Sequence, residues 1–387
     1  MLELRTREAT FSGFQRDSEP FIAALTTNPL LPAIVAKKHV LLLDSTNGAD
    51  EAQKCRYRAV VTKDGSCEER VPCVGLPEQY GYLAMGDVVR VNPRAHEFNV
   101  LYRRFSPTNS LLVTERCNSF CVMCSQPPRD IDDSHLASEV RQVIELMDRG
   151  TESLGITGGE PALLGDEFLK IVRHARNYLP DTKLHVLTNG RLFEDLEFAK
   201  SLAALKHPNL VLGIPLYSDQ PDHHDFVVQA NNAFDETIKG ILNLKAMGIA
   251  IELRVVIHHK TYARLPELAR FISRNLTFVD YVALMGLELV GFAKSNMNAL
   301  WMDPYDYQKE ILSAVRILKR TNVPVLVYNH QLCVVPEEVR PHCVKSISDW
   351  KNDYLEVCEQ CTLKSECGGF FSTGKSLENV SAYITPL

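Results

Sequence analysis

Leu111-Leu-Val-Thr-Glu-Arg-Cys117-Asn-Ser-Phe-Cys121-Val-Met-Cys124 is the stretch that decides how this chain is read. An apolar run that reads as a strand leads directly into three cysteines spaced C-x3-C-x2-C. A closed zinc or iron–sulfur site wants four protein ligands. Three close thiolates would leave one iron of a [4Fe–4S] cube open to a small molecule. The same spacing also suits a zinc knuckle completed from a distance, or plain buried thiols. The motif therefore needs its context.

The context comes one helix-length later, in Gly155-Ile-Thr-Gly158-Gly159-Glu160-Pro161. A strand ends there in two glycines and a carboxylate. Glycines let backbone approach a ligand closely, and Glu160 can accept from a cationic amine. The two motifs then lie at the ends of consecutive strands, where α/β barrels build their sites.

This pairing resembles the radical S-adenosylmethionine (SAM) superfamily. The resemblance implies that Cys117, Cys121 and Cys124 hold a [4Fe–4S] cluster with one open iron. It implies that Gly158, Gly159 and Glu160 contact the amino group of SAM. The reduced cluster then cleaves SAM to methionine and a 5′-deoxyadenosyl radical, which abstracts a substrate hydrogen. The residue before the third cysteine is usually aromatic and packs on adenine; here it is Met123, whose thioether can also pack against a ring.

The chain has 387 residues, enough for two or three domains. A net charge of −6 with no long basic block argues against nucleic acid and anionic membranes. No apolar stretch approaches the roughly 18 residues of a membrane span. The start Met1-Leu-Glu-Leu-Arg does not read as a signal peptide. Eleven cysteines, tightly clustered, read as metal ligation in a reducing cytoplasm rather than as disulfides.

Three segments are expected. Residues 1–105 carry short β-like runs (Val40–Asp44, Arg58–Thr62, Gly86–Asn92) and read as a β-rich domain without a motif. It is either a grip for a peptide or partner, or a lid. Cys55, Cys67 and Cys73 within it read as structural thiols. Residues 106–320 alternate strand and helix, with strands at Ser110–Glu115, Ser153–Thr157, Leu184–Thr188, Leu210–Leu216, Ile251–Ile257 and Phe278–Leu284. Leu136, Val140, Val143, Ile144 and Met147 recur at helical spacing, as do Phe234, Ile238, Ile241 and Leu242. Six such units imply an α/β fold with a parallel sheet that curls one way, an open partial (β/α)6 barrel. That is also the fold of the superfamily.

Residues 321–387 are cysteine-dense: Cys333, Cys343, Cys358, Cys361 and Cys367. Metal ligation explains five thiols this close better than packing does, and zinc is the alternative to iron. The segment resembles the SPASM or shorter twitch extensions of radical SAM peptide maturases, which implies an auxiliary iron–sulfur cluster. Phe371 stands where the full extension has a further cysteine, which favours one such cluster over two. The candidate set is Cys343, Cys358, Cys361 and Cys367, with Cys333 the alternative to Cys343.

Further candidates sit at strand carboxyl ends. Asn189, in Thr188-Asn189-Gly190, lies where the superfamily often approaches SAM. Ser218 is a candidate for the ribose. Arg254 is a candidate for the SAM carboxylate, since an inward-facing arginine is expensive unless paired. His258 and His259 read as surface residues, Gly286 and Glu288 as weak candidates for the adenine side. No residue stands out as a hydrogen-relaying acid or base, so the catalytic residue is unknown.

The string Asn109 to Arg129, with Leu154–Pro161, Ile251–Ile257 and Cys358-x2-Cys361-x5-Cys367-Gly-Gly-Phe-Phe, is similar to the HxsC-type radical SAM maturase of the His-Xaa-Ser system. That resemblance implies a peptide or small-protein substrate bearing His-Xaa-Ser repeats and an external electron donor. It also implies two companions, a second maturase (HxsB type) and a small protein (HxsD type). A radical SAM enzyme on a small molecule and a non-enzymatic metal scaffold are the other readings.

Overall fold

The computed structural model describes residues 3–346, 352–371 and 380–387. The chain divides into two compact units: residues 1–111, 135–154 and 174–182, and residues 112–134, 155–173 and 183–387. None of the helices described is long and apolar enough to cross a membrane.

The first unit is built on a mixed eight-stranded sheet. Its strands are β1 (Arg5–Thr6), β2 (Thr10–Ser12), β3 (Phe21–Thr26), β4 (His39–Leu43), β5 (Ala59–Thr62), β6 (Cys73–Gly75), β7 (Val88–Asn92) and β8 (Glu97–Tyr102), in the order β1-β8-β7-β3-β4-β5-β6-β2. The pairs from β3 to β6 are parallel. Strands β3 and β5 are buried along their whole length, as strands covered on both faces must be. One cover is helix α1 (His135–Leu146), which turns Ala137, Val140, Val143 and Ile144 inward at the expected spacing. Glu139 on it pairs with Arg90 at 3.1 Å.

The second sheet is ordered as the chain runs: β9 (Asn109–Leu112), β10 (Ser153–Thr157), β11 (Lys183–Leu187), β12 (Leu210–Pro215), β13 (Ala250–Ile257), β14 (Tyr281–Gly286), β15 (Val325–Tyr328) and β16 (Cys343–Val344). The pairings from β11 onward are parallel. β9 and β16 are its two edges, so the sheet is open. The connections carry α1, α2 (Asp166–Tyr178), α3 (Leu196–Ala203), α4 (Pro221–Val228), α5 (Ala233–Ala246), α6 (Leu265–Asn275) and α7 (Gln308–Arg320). Six β/α units are present as expected, and β15 and β16 extend the sheet into the cysteine-dense segment.

Three local expectations change. The first strand ends at Leu112 rather than Glu115, because Thr114 Oγ1 and the Glu115 amide turn aside to the buried Asp133 carboxylate. The sixth strand begins at Tyr281 rather than Phe278, after a turn closed by Val279 N–H on Leu276 O at 3.2 Å. On α5, Leu242 is exposed, and the inward face is instead Phe234, Thr237, Gly240, Ile241 and Leu244. Gly240 is required there: a Cβ would sit 2.2 Å from Gly190 O.

Among the buried histidines are three with displaced titration: His224 on α4, His258 after β13 and His330 after β15. Burial pushes them down from 6.5, to about 4, about 3 and about 4 respectively. They stay neutral in the fold but take up protons when unfolded. Stability from this source is therefore complete above pH 6.5 and is lost as pH falls toward 4. At pH 5 each should cost about 2 kcal/mol. Denaturant midpoints measured from pH 7 to pH 5 should fall accordingly, and His330→Gln should remove about a third of the slope. A flat profile would show that these groups are not buried neutral.

Candidate active site

The site begins with one hydrogen-bonded seam. Val113 N–H donates to Thr157 O at 2.9 Å, Gly159 N–H to Thr114 O at 2.8 Å, and Glu160 N–H to Arg116 O at 2.8 Å. The two motifs are thus stitched backbone to backbone. This explains both glycines: a Cβ on Gly158 would lie 2.6 Å from Thr114 O, and one on Gly159 2.1 Å from Arg116 O. The sequence reading assigned them to ligand approach. The structure shows that they first let the cysteine loop lie against the strand end.

Glu160 is fully buried. Its carboxylate accepts from Ala162 N–H at 2.9 Å, Thr188 Oγ1 at 2.5 Å and Asn189 N–H at 2.6 Å. A carboxylate offers about four acceptor sites, so one remains for a ligand amine. Asn189 Nδ2 donates in turn to Asn118 Oδ1 at 2.6 Å. Gly158, Gly159, Glu160 and Asn189 are thus brought together with the loop of Cys117.

Sequence reasoning missed two residues that hold this loop. Arg191 donates to Ser119 Oγ at 3.0 Å and to Asn118 O, and pairs with Glu236 at 2.6 Å. Asp133, 1% exposed in its side chain, takes Thr114 and Glu115 and pairs with Arg116 at 3.1 Å. Neither stands in a motif; each acts across a gap in sequence. The loop is also pinned by Phe120 N–H on Val228 O and Val122 N–H on Val227 O, both at 3.0 Å.

The three thiols fit an iron–sulfur cluster. Burial pushes Cys117 up to about 11 and Cys121 up to about 12, and it raises Cys124 too. The other sulfurs of the loop add to the rise at Cys117 and Cys121. Three thiolates so placed ionise together only beside strong positive charge, which bound irons provide. Among the described residues no three His, Cys, Asp or Glu side chains converge on a single-ion position; thiolates of a cube each bind a different iron.

Met123 is 6% exposed. It sits in an apolar cluster with Tyr217, Val227, Val228, Ala233, Ala293 and Leu300, and so shows little surface for an adenine ring. Ser218 is buried and its hydroxyl accepts from Gln220 N–H at 3.1 Å. Arg254, the candidate for the SAM carboxylate, already has a partner in the protein: Nη1 donates to Glu252 Oε1 at 3.0 Å. Glu252, 2% exposed, also meets His185 Nε2 at 2.5 Å and Tyr281 OH at 3.2 Å. Residues 252 and 254 face one way, so the pair is local. The other guanidinium donors stay available to an anion. His258 is buried, contrary to its surface reading, while His259 is exposed. Gly286 closes against Asn329 O, where a Cβ would lie at 2.4 Å.

Elsewhere in the unit, Cys333, Cys358, Cys361 and Cys367 line one small apolar cavity. Backbone donors face two of the sulfurs: Leu387 N–H to Cys361 Sγ at 3.5 Å and Gly369 N–H to Cys367 Sγ at 3.4 Å. Cys343 does not line it. Its thiol turns to Val339 O at 3.7 Å, although Cys367 is near enough to add to its rise to about 12.

Residues 111–272 match the radical SAM superfamily model. The match supports the radical SAM reading of this core. Among curated relatives, the GTP 3′,8-cyclase of Campylobacter jejuni (strain RM1221) is 30% identical over 186 residues, 44% of this chain and 54% of that protein. That of Sulfurovum sp. (strain NBC37-1) is 26% identical over 213 residues, 53% and 60% of the two. The chain spans about half the length of the curated relatives it matches. Solved structures that resemble it include Streptococcus suis SuiB bound to S-adenosylmethionine (TM-score 0.47, 17% identity, 58% of this chain and 51% of that one). Another is anSMEcpe with bound AdoMet and Cp18Cys peptide (TM-score 0.44, 19% identity, 57% and 63%).

Two substitutions test this seam. Gly159→Ala must push the cysteine loop away and should largely abolish iron uptake there, read by iron and sulfide analysis of protein whose C-terminal cysteines are changed to alanine. Arg191→Met removes charged hydrogen bonds from the same loop and should cost about 1.5–3 kcal/mol of stability, read by denaturation. Normal iron binding by the glycine variant would mean that the seam does not set the loop.

Proposed function

We propose that this chain is a radical SAM enzyme that modifies a peptide or small protein, one bearing His-Xaa-Ser repeats. The observation that carries this reading is the gathering of a second set of four thiols, Cys333, Cys358, Cys361 and Cys367, around one cavity of the unit that holds the Cys117–Cys124 loop. A set of this kind suits an auxiliary iron–sulfur cluster, as the peptide-maturase resemblance implies. In this reading Cys333 replaces Cys343 as the fourth ligand.

When bound, the cluster on Cys117, Cys121 and Cys124 supplies the electron that cleaves SAM. The chain's own residues do the rest. Glu160 offers its remaining acceptor site to the SAM amine, and Arg254 offers its free donors to the SAM carboxylate. The Val227–Val228 backbone and Arg191 hold the loop still. The electron comes from an external donor, and HxsB-type and HxsD-type companions are expected partners.

The names of the curated relatives favour a second reading, a small-molecule substrate. Anaerobic reconstitution with iron counting, followed by assay of SAM for 5′-deoxyadenosine, tests the first reading in stages. Cys121→Ala should abolish deoxyadenosine formation and spare the C-terminal iron. Cys333→Ala should lose that iron, whereas Cys343→Ala should keep it. Cys361→Ala should cleave SAM without modifying peptide. Cleavage retained by Cys121→Ala would sink the cluster assignment; full peptide product from Cys361→Ala would make the C-terminal thiols structural.

A further inference from the structure

A chamber opens at the carboxyl ends of β13, β14 and β15, where Ile257, Gly286 and Asn329 meet Trp301, Tyr307 and Phe370. Its floor is continuous with both metal regions. Gln331, Gly369 and Phe370 line it and also line the four-cysteine cavity. Leu287 lines it and packs on the cluster that holds Met123. Ligands of such sheets bind at this end of the strands.

The walls hydrogen-bond through uncharged amides. Among the described residues no lining side chain is charged. Asn329 Nδ2 donates to Gly286 O at 3.3 Å, and Gln331 Nε2 donates to Gly369 O at 2.8 Å. A carbonyl can only accept, so these bonds fix which way each amide points, and each amide keeps its oxygen and its second N–H. His330 Nδ1 lies 2.8 Å from Tyr328 O and must carry the ring proton. Its Nε2 is then an acceptor, and the Tyr307 hydroxyl donates to it at 2.8 Å. Three polar groups around the chamber have thus spent a donor on the protein and keep an oxygen that accepts. Asn329 is held in the left-handed region at φ 62°, a backbone state common at sites whose surroundings enforce it.

We propose that this chamber receives a flat, uncharged side chain bearing an N–H donor from a peptide substrate, stacked on Trp301 and donating to Asn329 and Gln331. The proposal rests on the peptide reading above. A phosphate carries a formal charge and would find no cation among the described lining residues to offset its desolvation. The neutral imidazole of histidine and the indole of tryptophan share the required chemistry. Imidazole leaves more room in a chamber already walled by large rings.

Trp301 reports on its own surroundings once Trp350, the other tryptophan of the chain, is changed to phenylalanine. Emission of the anaerobically reconstituted Trp350→Phe protein is titrated at pH 8 with four probes. These are a blocked peptide of His-Gly-Ser repeats, its Phe-for-His and Trp-for-His counterparts (the last read by calorimetry), and GTP. The histidine peptide should shift Trp301 emission saturably, the phenylalanine peptide should bind about tenfold more weakly, and GTP should leave the emission unchanged. Gln331→Met keeps the side-chain length and removes the acceptor; it should weaken the histidine peptide about tenfold, the value of one hydrogen bond. Asn329→Gly keeps the backbone state and should do the same. Circular dichroism melts identify any variant that has not folded.

Unchanged affinity in both folded variants, or no effect of the histidine peptide on Trp301, would overturn the chamber assignment. If peptide modification persists in those variants with unchanged KM, the chamber falls and the peptide reading stands. If GTP, and not the peptides, perturbs Trp301, both fall. Tighter binding of the tryptophan peptide would keep the chamber and replace imidazole by indole.

Discussion

A single buried carboxylate governs the geometry of this site. Glu160 is removed from water, where an unpaired charge would cost several kcal/mol, and only the donors arranged around it make that position tolerable. Two of them, Thr188 Oγ1 and Asn189 N–H, come from the end of β11, and the third, Ala162 N–H, from the turn after β10. The strand ends are therefore locked to one another through Glu160. Asn189 passes the constraint to Asn118, beside the first cysteine. A loop of three ionisable sulfurs repels itself and needs an external frame. This carboxylate, with the backbone seam at Gly159, provides that frame.

A second buried acid repeats the principle inside the sheet. Glu252 is shared by Arg254, His185 and Tyr281, from three strands. Gly213, on the strand between β11 and β13, makes the crossing possible: a Cβ there would lie 3.0 Å from both His185 Nε2 and Arg254 Cδ. Arg254 is held by its own carboxylate before any ligand arrives. The arrangement is preorganised, so an incoming anion meets a guanidinium whose side-chain freedom is already spent.

What could be read in the sequence was what is local. The strand before the cysteines and the Gly-Gly-Glu segment are local features, and the structure joins them backbone to backbone. The six β/α units were visible because their helices alternate with apolar runs. Strand β3 and most of the first sheet's edge strands were not, since wholly buried or two-residue strands carry no period to detect. Leu242 was misplaced because its helix face is set by Gly240 against Gly190, a contact that apolar counting ignores. Arg191 and Asp133 were invisible for a similar reason: the partners through which they hold the loop lie 17 to 73 residues away in no regular pattern, as with Arg191 and Asn118 at a separation of 73. That Cys333 and not Cys343 lines the cavity of Cys358, Cys361 and Cys367 was equally hidden, because both lie at plausible distances in sequence from Cys358.

The family-model match does not reach every wall of the site. The superfamily match ends at residue 272. Apart from Ile257, every residue lining the chamber lies beyond it, from Gly286 to Ser381. One fold can host many reactions, and the substrate is chosen by the groups that face it. Here those groups are aromatic rings and uncharged amides, and no cation lines the chamber among the described residues. The walls that would choose a substrate therefore lie largely outside the stretch matched to the family model.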